Sequence, residues 1–241
     1  MKRVKDFTSF QWIIDETERI DFENGIGSRG ENFIPNRFTH YAKLMHPIYA
    51  DENIKDTSIL WSQCNPDEEV SFNFGERIFM KDLAEAYGRP HTKEFSFASI
   101  YHWLGGYPRY ILGPAEDTMD EKLVPEVVRV LQPFTGVPCY FQYDLVKAKR
   151  YEENHGYGYL YRGELTEVEQ FTGYGEVHDF PNYWYPESKN WCLFTGIDFN
   201  FTLFGGNKKM LEALQANAEI ECMEVDKRTR VDDKADVHHL P

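Results

Sequence analysis

The chain has 241 residues, 41% apolar and 16% aromatic, enough to bury a sizeable core and to exclude global disorder. Its formal net charge of −14 opposes nucleic-acid phosphates and anionic lipid surfaces and favours a basic protein partner. No apolar run of about twenty residues marks a membrane span. The opening MKRVKDFTSFQW lacks the continuous apolar stretch of a signal peptide, so a cytoplasmic protein is expected.

In chain order, residues 10–14 open with a short helix. Gly25-Ile26-Gly27-Ser28-Arg29-Gly30 formally fits a dinucleotide-loop spacing, but no buried strand precedes it and Pro35 opposes a helix after it. Residues 38–48 read as a short strand or helix that stops at His46-Pro47, because the residue before proline avoids the α conformation. Residues 76–87 read as a helix, with Ile78 or Phe79, Leu83 and Tyr87 on one face and Gly88 and Pro90 as its stop. Residues 101–108 read as an aromatic loop, followed by the acidic segment 116–121. Pro125 suits the first turn of a helix through Val127, Val128 and Leu131. A strand over 139–145 and a strand pair over 157–161 and 169–171 follow.

Residues 181–186 carry an aromatic turn. Residues 191–204 then read as one long central strand buried on both faces, with Asp198 its single charge. Gly205-Gly206-Asn207 leads into a helix bearing Met210, Leu211 and Leu214, and residues 220–225 alternate as an edge strand. The pattern lacks βαβ alternation, so the expected fold is α+β: a single domain over 1–241 with a mixed, mostly antiparallel sheet and flanking helices. Residues 1–31 and 226–241 are expected as an N-terminal extension and a charged tail, both free to move.

The chemistry-bearing residues are scattered. His40 and His46 would lie about 120° apart on a helix. His91, His102, His155 and His178 stand alone, and His238-His239 sits in the tail. Cys64, Cys139, Cys192 and Cys222 have no zinc spacing, and Ser96, Ser99 and Ser188 have no glycine frame for a nucleophile elbow. No metal and no cofactor are therefore expected. Asp198, with His102 or His178 brought to it by the fold, is the candidate catalytic set. The richer signal is for binding. Tyr101, Trp103, Tyr183, Trp184 and Tyr185 are the kinds of ring that anchor interfaces, and Asp67, Glu68, Glu69, Glu116 and Asp117 would supply an acidic rim.

The run Pro181-Asn182-x-Trp184-Tyr185-Pro186, then Trp191-Cys192, Ile197-Asp198 and Gly205-Gly206, resembles the signature of a family of uncharacterised bacterial proteins. The Gly-Gly, helix, strand ending is loosely similar to the suppressor-of-fused-like group, many of whose bacterial members are toxin-immunity proteins. That resemblance implies an immunity-type role and supplies no catalytic residues. The expected function is thus an acidic cytoplasmic protein-binding module, of immunity or inhibitory type, for a basic partner, without direct nucleic-acid or membrane contact. The alternatives are a hydrolase or transferase built on Asp198, and a component of a phage defence or counter-defence system. Oligomeric state has no sequence signal.

Overall fold

The computed structural model describes residues 1–21, 27–65, 70–144, 158–171 and 175–236. Its strands are β1 (Lys2–Val4), β2 (His40–Met45), β3 (Ile48–Asp51), β4 (Phe74–Ile78), β5 (Ile111–Leu112), β6 (Cys139–Tyr143), β7 (Tyr159–Gly163), β8 (Tyr183–Pro186), β9 (Cys192–Phe194), β10 (Phe201–Gly206) and β11 (Glu221–Val225). Its α-helices are α1 (Gln11–Glu16), α2 (Met80–Ala86), α3 (Phe97–Leu104), α4 (Leu123–Leu131) and α5 (Lys208–Ala216). One antiparallel sheet takes the order β1-β7-β6-β8-β9-β10-β2-β11, and a smaller antiparallel sheet runs β4-β3-β5. The fold is a single α+β domain. Among the described residues no helix is long and apolar enough to cross a membrane.

The large sheet is covered on both faces. Ala42, Leu44, Phe141, Trp184, Leu193 and Phe204 face α4 and α5, whereas Tyr41, Met45, Tyr185, Cys192, Phe201 and Leu203 face α1, α2 and α3. Two buried faces explain why β2 and β10 are apolar almost throughout rather than alternating. Gly205 is required at its place in β10, since a Cβ there would lie 2.4 Å from the Ile34 side chain.

Local chemistry sets the helix ends. Asn207 caps α5 by accepting from the Met210 amide at 3.1 Å, as the sequence suggests. The first turn of α2 is capped from afar: the Glu221 carboxylate of β11 accepts from the Met80 and Lys81 amides, each at 2.8 Å. Pro125 lies in the first turn of α4, and α3 ends on Gly105 at φ 69°.

Several expectations change. The single strand over 191–204 is a hairpin, β9 and β10, with Leu203 opposite Phe194. Its turn falls where Gly196, Asp198 and Asn200 replace β-prone residues, and both strands are central as expected. The helix over 76–87 is a strand followed by α2, because Phe74–Ile78 pairs with β3. Residues 101–104 belong to α3 rather than to a loop. Residues 169–171 form no strand: Leu165–Gln170 is a 3-10 helix. The aromatic turn at 183–185 is β8, in register with β6 and β9. The described parts of the segments expected to be free are bonded into the body, and residues 22–26 lie outside the described residues. β1 pairs with β7, Trp12 and Ile13 are buried, Arg29 bridges Arg230, and Val231 and Ala235 are buried; residues 237–241 lie outside the described residues.

Candidate functional site

At one end of the large sheet the β9–β10 turn meets the loop after β5. Asp198 and Asp117 both adopt left-handed backbone conformations, at φ 64° and 66°. Aspartate tolerates that region better than most residues, yet each instance costs about 1 kcal/mol or more unless its surroundings impose it. Here they do. The Asp198 amide donates to Asp117 Oδ1 at 2.5 Å, and the Asp117 amide donates to the Phe199 carbonyl at 3.2 Å.

A buried polar chain fixes the same junction from beneath. His46 at the end of β2 reaches the Ala115 carbonyl through Nδ1 at 2.7 Å and the Thr202 hydroxyl through Nε2 at 3.0 Å. A carbonyl only accepts, so Nδ1 carries the hydrogen, and in the neutral ring Nε2 accepts from Thr202. Thr202 in turn lies 2.7 Å from the Thr195 hydroxyl. Asn182 links the far side, donating to the Thr195 carbonyl at 3.0 Å and accepting from the Asp144 amide at 2.9 Å.

The turn lines a cleft of about 720 Å³. Its aromatic floor is Phe33 stacked on Phe194 at 4.9 Å with Phe199 edge-on to both, and Ile197 is 45% exposed at its lip. Asp144, Asp198, Asp232 and Asp233 stand around it. Asp232 is engaged by Arg230 Nε and the Ser28 amide. Among the described residues no hydrogen bond or ion pair meets the Asp198 carboxylate. Beside it, partial burial and then the negative charges of Asp117 and Asp198 raise the Glu116 carboxyl above its ordinary value. The arrangement is an apolar trough with a surplus of carboxylates, suited to a cation that carries apolar surface.

The structure brings together Asp198, Asp117 and Glu116 from the expected set and separates the rest. His178 Nδ1 lies 2.6 Å from Asp179, and His102 Nε2 donates to the Asp233 carbonyl at 3.1 Å, so neither histidine is bonded to Asp198. Asp198 is exposed at a turn rather than buried in a strand. Tyr101 is 46% exposed on α3, while Trp103 on the same helix is buried. Trp184 and Tyr185 are fully buried in β8, with Trp184 Nε1 donating to the Pro181 carbonyl and the Tyr185 hydroxyl to the Ser9 carbonyl. Tyr183 is half-buried against Phe194 and Phe10. These rings are core, because strand pairing on both sides of β8 turns them into the two faces of the sheet. Asp67, Glu68, Glu69 and His155 lie outside the described residues.

Phe33, Phe194, Ile197, Phe199, Asp144 and Asp232 line the cleft, although none of them was expected as a site residue. The Gly196 to Asn200 turn chemistry was the available signal for its position. Burial pushes the Cys139 and Cys222 thiols up to about 12 and Cys192 well above its ordinary value, leaving them protonated and inert as nucleophiles. Among the described residues no group of three or more His, Cys, Asp or Glu side chains could hold a metal ion. No protein-family model matches the chain, and searches of curated proteins and of solved structures find no match either.

Proposed function

We propose that this chain is a protein-binding module of the immunity or inhibitory kind, acting in the cytoplasm on a basic partner. The observation that carries the reading is the cleft under Ile197, where aromatic rings are ringed by aspartates and the Asp198 carboxylate has no partner among the described residues. A partner's lysine or arginine would lay its aliphatic stem on Phe194 and Phe199 and relieve the crowding of Asp198, Asp117 and Glu116. The surrounding negative field would speed the encounter.

The test begins with affinity purification from the native host and mass spectrometry of the retained proteins. The retained partner is expected to be basic, and Ile197→Ala and Asp198→Lys should each weaken it about tenfold or more, as expected of interface anchors. An acidic partner, or one indifferent to both variants, would overturn the reading.

A further inference from the structure

A second surface lies on the small sheet, away from the cleft under Ile197. Among the described residues strand β4 pairs with β3 on one side only, so its other edge presents backbone donors and acceptors. Phe74 on that strand is 61% exposed and Phe72 just before it 53%. An open edge bearing two exposed phenylalanines invites another chain unless something covers it.

The chemistry around it selects the visitor. Glu76 on β4 and Glu52 beside it are exposed, and a cleft of about 680 Å³ next to Phe74 is lined by Asp120, Glu121 and Asp179. The rings already receive cations from this chain. Lys122 Nζ lies 4.3 Å from the Tyr49 ring centre and 6.0 Å from that of Phe74, and the Arg109 guanidinium lies 4.2 Å from Trp61 and 5.8 Å from Phe72. Arg109 is held there by the buried Asp51 at 2.7 Å, whereas Lys122 is exposed and makes no ion pair among the described residues. We infer that the open edge of β4 docks an extended basic segment of a partner protein, which adds a strand to the small sheet and sets its cations against Glu76 and the carboxylates of the adjoining cleft. This stands independently of the cleft under Ile197.

The probe is a synthetic peptide alternating lysine with valine, with a control alternating glutamate with valine. Addition of the basic peptide should shift the amide resonances of Phe74–Ile78 and leave those of Ile197 and Asp198 in place. Phe74→Ala should weaken binding about tenfold without lowering the melting temperature, since an exposed ring contributes little to folding. Lys122→Gln should tighten it several-fold by removing a competing cation. The inference is overturned if the two peptides bind equally, if the shifts fall elsewhere, or if sedimentation shows that a second copy of this chain already occupies the β4 edge.

Discussion

Lys43 sits mid-strand in β2, fully enclosed, with Nζ donating to the Phe95 carbonyl at 2.6 Å and lying 5.1 Å from the Phe201 ring centre. Burial lowers its pKa to about 7, against the opposing pull of Glu94 and Asp236. His91 is lowered as well, by burial first and then by Lys43 and Lys81. An unfolded lysine titrates near 10.4, so between about pH 7 and 10 the unfolded chain holds a proton the folded one has released. The unfolded state then binds more protons, and this residue makes stability rise with pH through that window. Lys43→Met should therefore be more stable than the parent at pH 6, with the gap narrowing steadily from about pH 7 to 10; thermal melts of both proteins across that range check it. Subtracting the parent curve also removes the opposite trend from the buried cysteines, whose raised pKa values weaken the fold above about pH 8.5. Trp184 gives the contrasting case of a ring without charge. Trp184→Ala should cost about 3–5 kcal/mol in denaturant unfolding, the range for emptying a large core site. A loss below about 1 kcal/mol would show that the ring is not core.

At the scale of elements, the β9–β10 hairpin separates protected from unprotected backbone. Amides within Cys192–Phe194 and Phe201–Gly206 should exchange near the global unfolding rate, and that of Ile197 far faster. Uniform slow exchange through the turn would contradict the hairpin. The sequence misses it because Ile197 and Phe199 keep the hydrophobic run going across the turn, between Gly196, Asp198 and Asn200. The start of α2 is hidden for a different reason. Its cap is Glu221, some 140 residues away, and no local pattern can announce a partner at that separation. Where the stabilising contacts are local, as in Asn207 with Met210 of α5 or the Val127-Val128-Leu131 face of α4, residue pattern and fold agree. Tyr183-Trp184-Tyr185 shows the converse. A proline-bounded aromatic triplet suggests a turn until β6 and β9 are known to flank it.

For the whole molecule, charge is the property legible from composition, and geometry decides where it acts. Asp198 lies 81 residues from Asp117 and its neighbour Glu116, and they meet where His46, at the end of β2, ties the loop after β5 to β10. With a net charge of −14, association with a basic partner should slow when salt is raised from about 0.05 to 0.5 M, as the Debye length falls below about 5 Å. Stopped-flow measurement at the two salt concentrations decides it, and an unchanged association rate would rule out steering. The strand order also has a consequence for biosynthesis. β2 emerges early, but both of its neighbours, β10 and β11, lie more than 150 residues further along. At translation rates of about 5–20 residues per second, its apolar strand waits roughly 8–30 s without a partner on either side. A nascent chain arrested before residue 201 should accordingly be a client of ribosome-associated chaperones, and one released after residue 225 should not.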